Sequence, residues 1–83
     1  MTFLPFDAMS EAELRLRLAE RPDCRRSRLA LAARVEDGEA EGHYRAVLDL
    51  FPDEGEALLG LAAILARRGA LPQAVDLAQR ALR

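Results

Sequence analysis

The stretch GEALLGLAAILARRGALPQAVDLAQRALR, residues 55–83, decides the fold. Its first half sets Leu58, Leu61, Ala62 and Leu65 at i, i+3, i+4 and i+7, one face of an α-helix. Gly69 then stands where a helix end takes a left-handed residue. Pro72 sits where a new helix starts, since its missing N–H would have no intrahelical partner there. Beyond it Ala74, Val75, Ala78, Ala81 and Leu82 carry the helical period to the chain end. Two amphipathic helices joined by so few residues must fold back on each other as an antiparallel hairpin.

Upstream the same grammar repeats. Ser10 and Glu13 fit a capping box that opens a first helix, with Leu14 and Leu18 on one face. Pro22 disfavours helix in the residue before it, so that helix stops near Arg21. Asp23 is placed to cap a second helix running to about Glu36, with Leu31, Ala32 and Val35 along a stripe. Asp37-Gly38 reads as a turn. A third helix follows from about Glu39 to Leu50, with Ala40, Tyr44, Val47 and Leu48 at helical spacing. Phe51-Pro52 ends it, and Asp53 through Glu56 reads as the cap of a fourth helix over about 54–68. The fold class is therefore all-α, about five helices in antiparallel hairpins. Residues 1–9 form an apolar leader (Phe3, Leu4, Phe6, Met9), and residues 10–83 form a single helical domain.

Composition agrees. The 83 residues suffice for one small domain, and 51% hydrophobic content at net charge −2 is that of a folding chain. Ala, Leu, Arg and Glu favour helix, whereas β-branched and aromatic residues are scarce. All twelve basic residues are Arg, with no Lys or Asn anywhere, the bias of a GC-rich, bacterial coding sequence. One cysteine, Cys24, excludes a disulfide scaffold. No apolar run is long enough to span a membrane, and the N-terminus lacks the basic start of a signal peptide, so a cytoplasmic location is expected. The near-neutral charge removes the electrostatic case for nucleic acid.

Sliding the chain by 34 residues sets Leu31 on Leu65, Ala32 on Ala66, Ala40 on Ala74 and Leu48 on Leu82. A shift of 30 instead aligns Pro22-Asp23 with Pro52-Asp53 and Leu31-Ala32 with Leu61-Ala62. The two registers are reconciled by a first repeat with a shortened turn. Residues 55–83 resemble a tetratricopeptide repeat: Leu58, Leu61-Ala62 and Leu65 on the first helix, Gly69 at the turn, Ala74 and Ala81 on the second. Ala40, Tyr44, Val47-Leu48 and Pro52 are similar to the second helix of a preceding repeat. Ala78 departs from the pattern, which usually has an aromatic there. The resemblance implies about two repeats (roughly 22–52 and 53–83) preceded by one helix, wound as a short right-handed α-α superhelix.

Little in the sequence points to catalysis, a cofactor or a metal. His43 is the single histidine, without a second ligand at metal spacing, and reads as a helix-flank residue. The glycines are scattered rather than gathered in a phosphate loop. Glu36, Asp37, Glu39 and Glu41 read as a helix start that favours negative charge. Cys24 falls near a helix start beside Arg25 and Arg26, features that lower a thiol pKa. Arg25, Arg26 and Arg28 fall where a helix dipole disfavours cations, so an internal acid (Glu20, Asp23 or a neighbouring helix) or an anionic partner must compensate.

The resemblance implies a non-enzymatic module that binds a protein or peptide in a concave groove. Groove-facing positions would be Arg25, Arg26, Leu29, Leu59, Ala63, Ala66 and Arg67, suiting a hydrophobic and acidic peptide, with the arginines at one end. Some relatives grip a terminal carboxylate with Lys and Asn, which this chain lacks. The repeat is also appended to glycosyltransferases, sulfotransferases and regulators, so a portion of a larger enzyme is the alternative. A small self-associating structural protein is another. Val75, Ala78 and Leu82 share a face of the last helix, to be covered either by the leader or by a second copy in a homodimer.

Overall fold

The computed structural model describes residues 9–82, and among them there are five α-helices and no strand. They are α1 (Glu11–Glu20), α2 (Arg25–Ala32), α3 (Asp37–Leu50), α4 (Gly55–Arg67) and α5 (Leu71–Ala81). Packing runs mainly between helices consecutive in the chain, so the molecule is drawn out to 46 × 24 × 19 Å. Of the leader, Phe3, Leu4 and Phe6 lie outside the described residues. Met9 is buried in a cluster with Leu14 and Leu31.

The capping box at α1 forms as expected. The Ser10 hydroxyl accepts from the Glu13 N–H at 3.1 Å, and the Ser10 N–H donates to the Glu13 carboxylate at 3.0 Å. The turn after α1 is then built a second time after α3. Arg21 leaves its helix at φ −136°, ψ 85°, and Phe51 at φ −133°, ψ 78°. Each precedes a proline, which forces the extended conformation. Cys24 N–H donates to Arg21 O and Glu54 N–H to Phe51 O, both at 3.0 Å, closing β-turns with proline at the second position. Asp23 and Asp53, expected as caps, therefore sit inside the turns. The N-caps fall one residue later, on Cys24 and Glu54.

Helix α2 ends at Ala32, four residues short of the expected Glu36, because Glu36 serves α3 instead. Its carboxylate accepts from Gly38 N–H at 2.9 Å and Glu39 N–H at 2.7 Å. Asp37-Gly38, read as a turn, is thus the first turn of α3. The two registers have a structural meaning. The Pro-Asp turns recur 30 residues apart, while the N-caps of α3 and α5, Glu36 and Ala70, stand 34 apart. The missing residues come out of a helix rather than a connection, since α2 has 8 residues and α4 has 13.

Gly69 adopts φ +84°. It lets Gly69 N–H reach Ala66 O at 3.0 Å and Ala70 N–H reach Leu65 O at 2.9 Å, a Schellman closure of α4. Helix α4 contributes the most buried residues: Ala57, Leu58, Leu61, Ala62 and Ile64 are all covered. It meets α3 through Ile64 beside Ala40 and Ala57 beside Val47, and α5 packs on its other side, where Ala74 is buried. Leu65, expected in this core, is half-buried because it lines an open depression with Leu61, Pro72 and Leu77.

Between α3 and α4, Tyr44 packs onto Gly60. A Cβ built there would lie 2.3 Å from Cζ of Tyr44, so the phenol ring rests directly on the helix backbone. Alanine is a better helix former by about 1 kcal/mol, but overpacking costs ~1–3 kcal/mol. Gly60→Ala is expected to lower stability by about 1 kcal/mol in the wild type and to raise it by a similar amount in a Tyr44→Ala background. Urea unfolding of the four proteins checks that change of sign.

Candidate functional site

Helix α4 shows a different surface on each side of its buried sector. Gly60, Ala63, Ile64 and Arg67 share one flank, and with Ala32, Ala33, Val35, Asp37, Ala40 and Tyr44 they line a hollow of about 280 Å³ between α2, α3 and α4. Leu61 and Leu65 lie on the opposite flank. With Arg45, Pro72, Gln73, Asp76 and Leu77 they line a shallower, open depression of about 530 Å³ between α3, α4 and α5. The sequence pattern concealed this second depression, because Leu61 and Leu65 carry the periodicity of ordinary core residues.

Of the seven residues expected to face a groove, Ala63 and Arg67 line the first hollow. Ala63, Ala66 and Leu59 are exposed along α4, and Ala33 is exposed at the end of α2. Tyr44 forms one wall. Burial pushes its phenol above the ordinary value, the nearby Glu56 charge adds to that, and Arg67 opposes it.

Leu29 does not belong there. It is 7% exposed, packed with Val47 and Ala57. Val47 of α3 and Ala57 of α4 cover it there. The residue 30 positions later, Leu59, is 53% exposed because no described element lies over α4 in the same way.

Nor do the arginines gather at one end. Arg25 sits at the start of α4, with Nη1 3.1 Å from Glu54 and its guanidinium 4.5 Å above the Phe51 ring. Arg67 is the last residue of α4, about 18 Å further along the axis. Its Nε and Nη2 donate to Asp37 Oδ2 and Oδ1 at 3.0 and 2.9 Å. Both are engaged, and an anionic ligand would have to displace a carboxylate. Among these three, Arg26 alone exposes a guanidinium without a side-chain partner among the described residues. Arg28 donates to Pro22 O and to His43 Nδ1, both at 3.2 Å. For Arg25 the compensation is thus internal, and its acid is Glu54 rather than Glu20 or Asp23.

The acids of α3 act as a hub. Asp37 holds Arg67, Glu39 holds Arg15 and His43, and Glu41 holds Arg45 and Arg68. Since Arg28 can only donate, His43 Nδ1 accepts and Nε2–H donates to Glu39 at 3.2 Å. Cys24 lies 3.1 Å from the hydroxyl of fully buried Ser27. Burial pushes the Cys24 thiol up, but Ser27 hydrogen bonds, the Arg17 charge and the Arg26 N–H together bring it below the usual range. Among the described residues no His, Cys, Asp and Glu side chains group as metal ligands, and no helix is long and apolar enough to cross a membrane.

No family model, curated protein or solved structure matches this chain.

Two pH-dependent outcomes follow from this geometry. The carboxyl groups of Asp37, Glu39 and Glu41 are held below their ordinary range, chiefly by hydrogen bonds from Arg67, Arg15 and Arg68 respectively. A depressed folded-state pKa stabilises the fold above the unfolded value and is lost as pH falls through the folded one. The urea midpoint is therefore expected to hold steady down to about pH 5 and to fall below about pH 4, with a shallower fall in Asp37→Asn. Tyr44 is the single tyrosine in a chain without tryptophan. Its ultraviolet titration should lie above the ordinary phenol value, move down in Glu56→Gln and move up in Arg67→Gln.

Proposed function

We propose that this chain is a non-catalytic interaction module of the tetratricopeptide type, which holds an extended segment of a partner protein in the groove between α2 and α4. The observation that carries the reading is the exposed apolar strip of Leu59, Ala63 and Ala66 at i, i+4 and i+7 on α4, beside exposed Ala33. Small side chains let a bound backbone come close, and burying them removes apolar surface from water. Tyr44 offers a phenol at the wall of the same hollow, an apolar body with one hydrogen-bonding tip.

The partner is a largely apolar segment. Arg26 is the arginine available to an acidic residue on it, given that Arg25 and Arg67 already hold Glu54 and Asp37. The recurring Pro-Asp turn and the paired alanines Ala40 and Ala74, both buried, support the repeat reading.

Peptides selected from a displayed random library against the whole chain test this. Selected peptides are expected to bind in solution, measured by fluorescence anisotropy. Ala63→Trp, which fills the hollow from an exposed position, should weaken them at least about tenfold, roughly 1.4 kcal/mol, with unchanged helical circular dichroism. Arg26→Glu should weaken those that contain acids. Equal binding to wild type and Ala63→Trp would remove the groove from the mechanism.

A further inference from the structure

Helix α5 carries two apolar sets. Ala74, Leu77 and Ala81 are buried or half-buried on one side. Leu71, Val75, Ala78 and Leu82 form a second stripe, with Leu71, Val75 and Leu82 exposed to 58%, 54% and 84% and Ala78 half-buried. The spacing of 4, 3 and 4 residues is that of a seam between two packed helices.

The chain covers the equivalent stripe once already. The 34-residue register that sets Ala40 on Ala74 sets Asp37, Glu41, Tyr44 and Leu48 of α3 on Leu71, Val75, Ala78 and Leu82. On α3 these positions receive α4: Asp37 takes Arg67, Glu41 takes Arg68, and Tyr44 rests on Gly60. On α5 the two acids have become Leu and Val. A further helix ending in arginines, as α4 does, would bury guanidinium groups against hydrocarbon there, which is costly. The element that fits this stripe is apolar where α4 is basic.

The α5 stripe itself has that character, and its spacing is the same from either end. A two-fold axis midway between Val75 and Ala78 sets Leu71 against Leu82 of a second copy, and Val75 against Ala78. The flanking positions Pro72, Ala74, Gln79 and Ala81 carry no charge. The two charged residues of the helix, Asp76 and Arg80, lie on its far side, and Arg80 donates to Pro52 O at 3.1 Å. Among the described residues of this helix, no charge would be buried and no like charges would meet.

We propose that two copies of this chain pair antiparallel through the Leu71–Leu82 stripe about a two-fold axis, a surface independent of the peptide groove. A seam of about 16 Å is at the small end of interface sizes, so the dimer is weak, half-formed at roughly tens to hundreds of micromolar chain.

Sedimentation equilibrium of the full chain from about 10 to 500 µM tests the proposal across that affinity range. The wild type should show a monomer–dimer equilibrium. Leu71→Glu and Leu82→Arg should each be monomeric with unchanged helical circular dichroism, as should Val75→Asp at the centre. An equimolar mixture of Leu71→Glu and Leu82→Arg should recover a dimer. The axis sets the introduced carboxylate against the introduced guanidinium at one end and keeps the leucine pair at the other. A wild type monomeric throughout, a dimer that survives in all three variants, or a mixture that stays monomeric would each overturn it.

Discussion

The structure depends on the double-sided burial of α4. Five of its thirteen residues are covered, and two of them, Ala57 and Ala62, are alanines that let neighbouring helices come close. A helix held on two sides keeps only narrow sectors open. The groove beside α2 and the depression beside α5 are those sectors. Both hollows are thus consequences of how the core is packed.

Charge adds a second layer at the first turns of α3. That helix start favours negative groups, while the middle of α1 supplies Arg15 and the end of α4 supplies Arg67 and Arg68 to meet them. Ion pairs this exposed contribute about 0–1 kcal/mol each, so they do not hold the core together. Their effect is selective. A one-residue slip of α4 along α3 would part Arg67 from Asp37 and drive Gly60 away from Tyr44, where any other residue would clash with the ring. The pairs and the glycine specify one alignment among several of similar hydrophobic content.

The helical hairpins were legible because each boundary has a local cause: the Ser10–Glu13 box, the prolines at 22 and 52, the left-handed Gly69. Where the sequence misled, a nearby competitor had won. Asp23 and Asp53 are good caps in isolation, but the proline before each draws it into a turn. Ala33 and Arg34 are good helix formers, yet α2 stops because Glu36 is bound to the next helix start. Leu29 and Leu59 occupy equivalent places on helices of matching pattern, and only the packing of Val47 and Ala57 over Leu29 separates a core residue from a surface one. The arginines were readable as basic, but which carboxylate each would meet depends on contacts across helices, such as Arg67 with Asp37 thirty residues away.

The two hairpins share a turn and differ in what they offer outward. Over α3, the place for the next helix is edged with acids and is filled by α4. Over α5, the same places hold Leu71 and Val75. A chain repeating one unit would have kept the acids, since the arginines at the end of each first helix would need them. Exchanging both for aliphatic residues removes the ion pairs and exposes apolar area, a combination that disfavours a lone surface in water and disfavours another basic helix end equally. The acid-edged face is complementary to a helix from the same chain that differs from its own. The aliphatic face, uncharged and symmetric in its spacing, is complementary to itself.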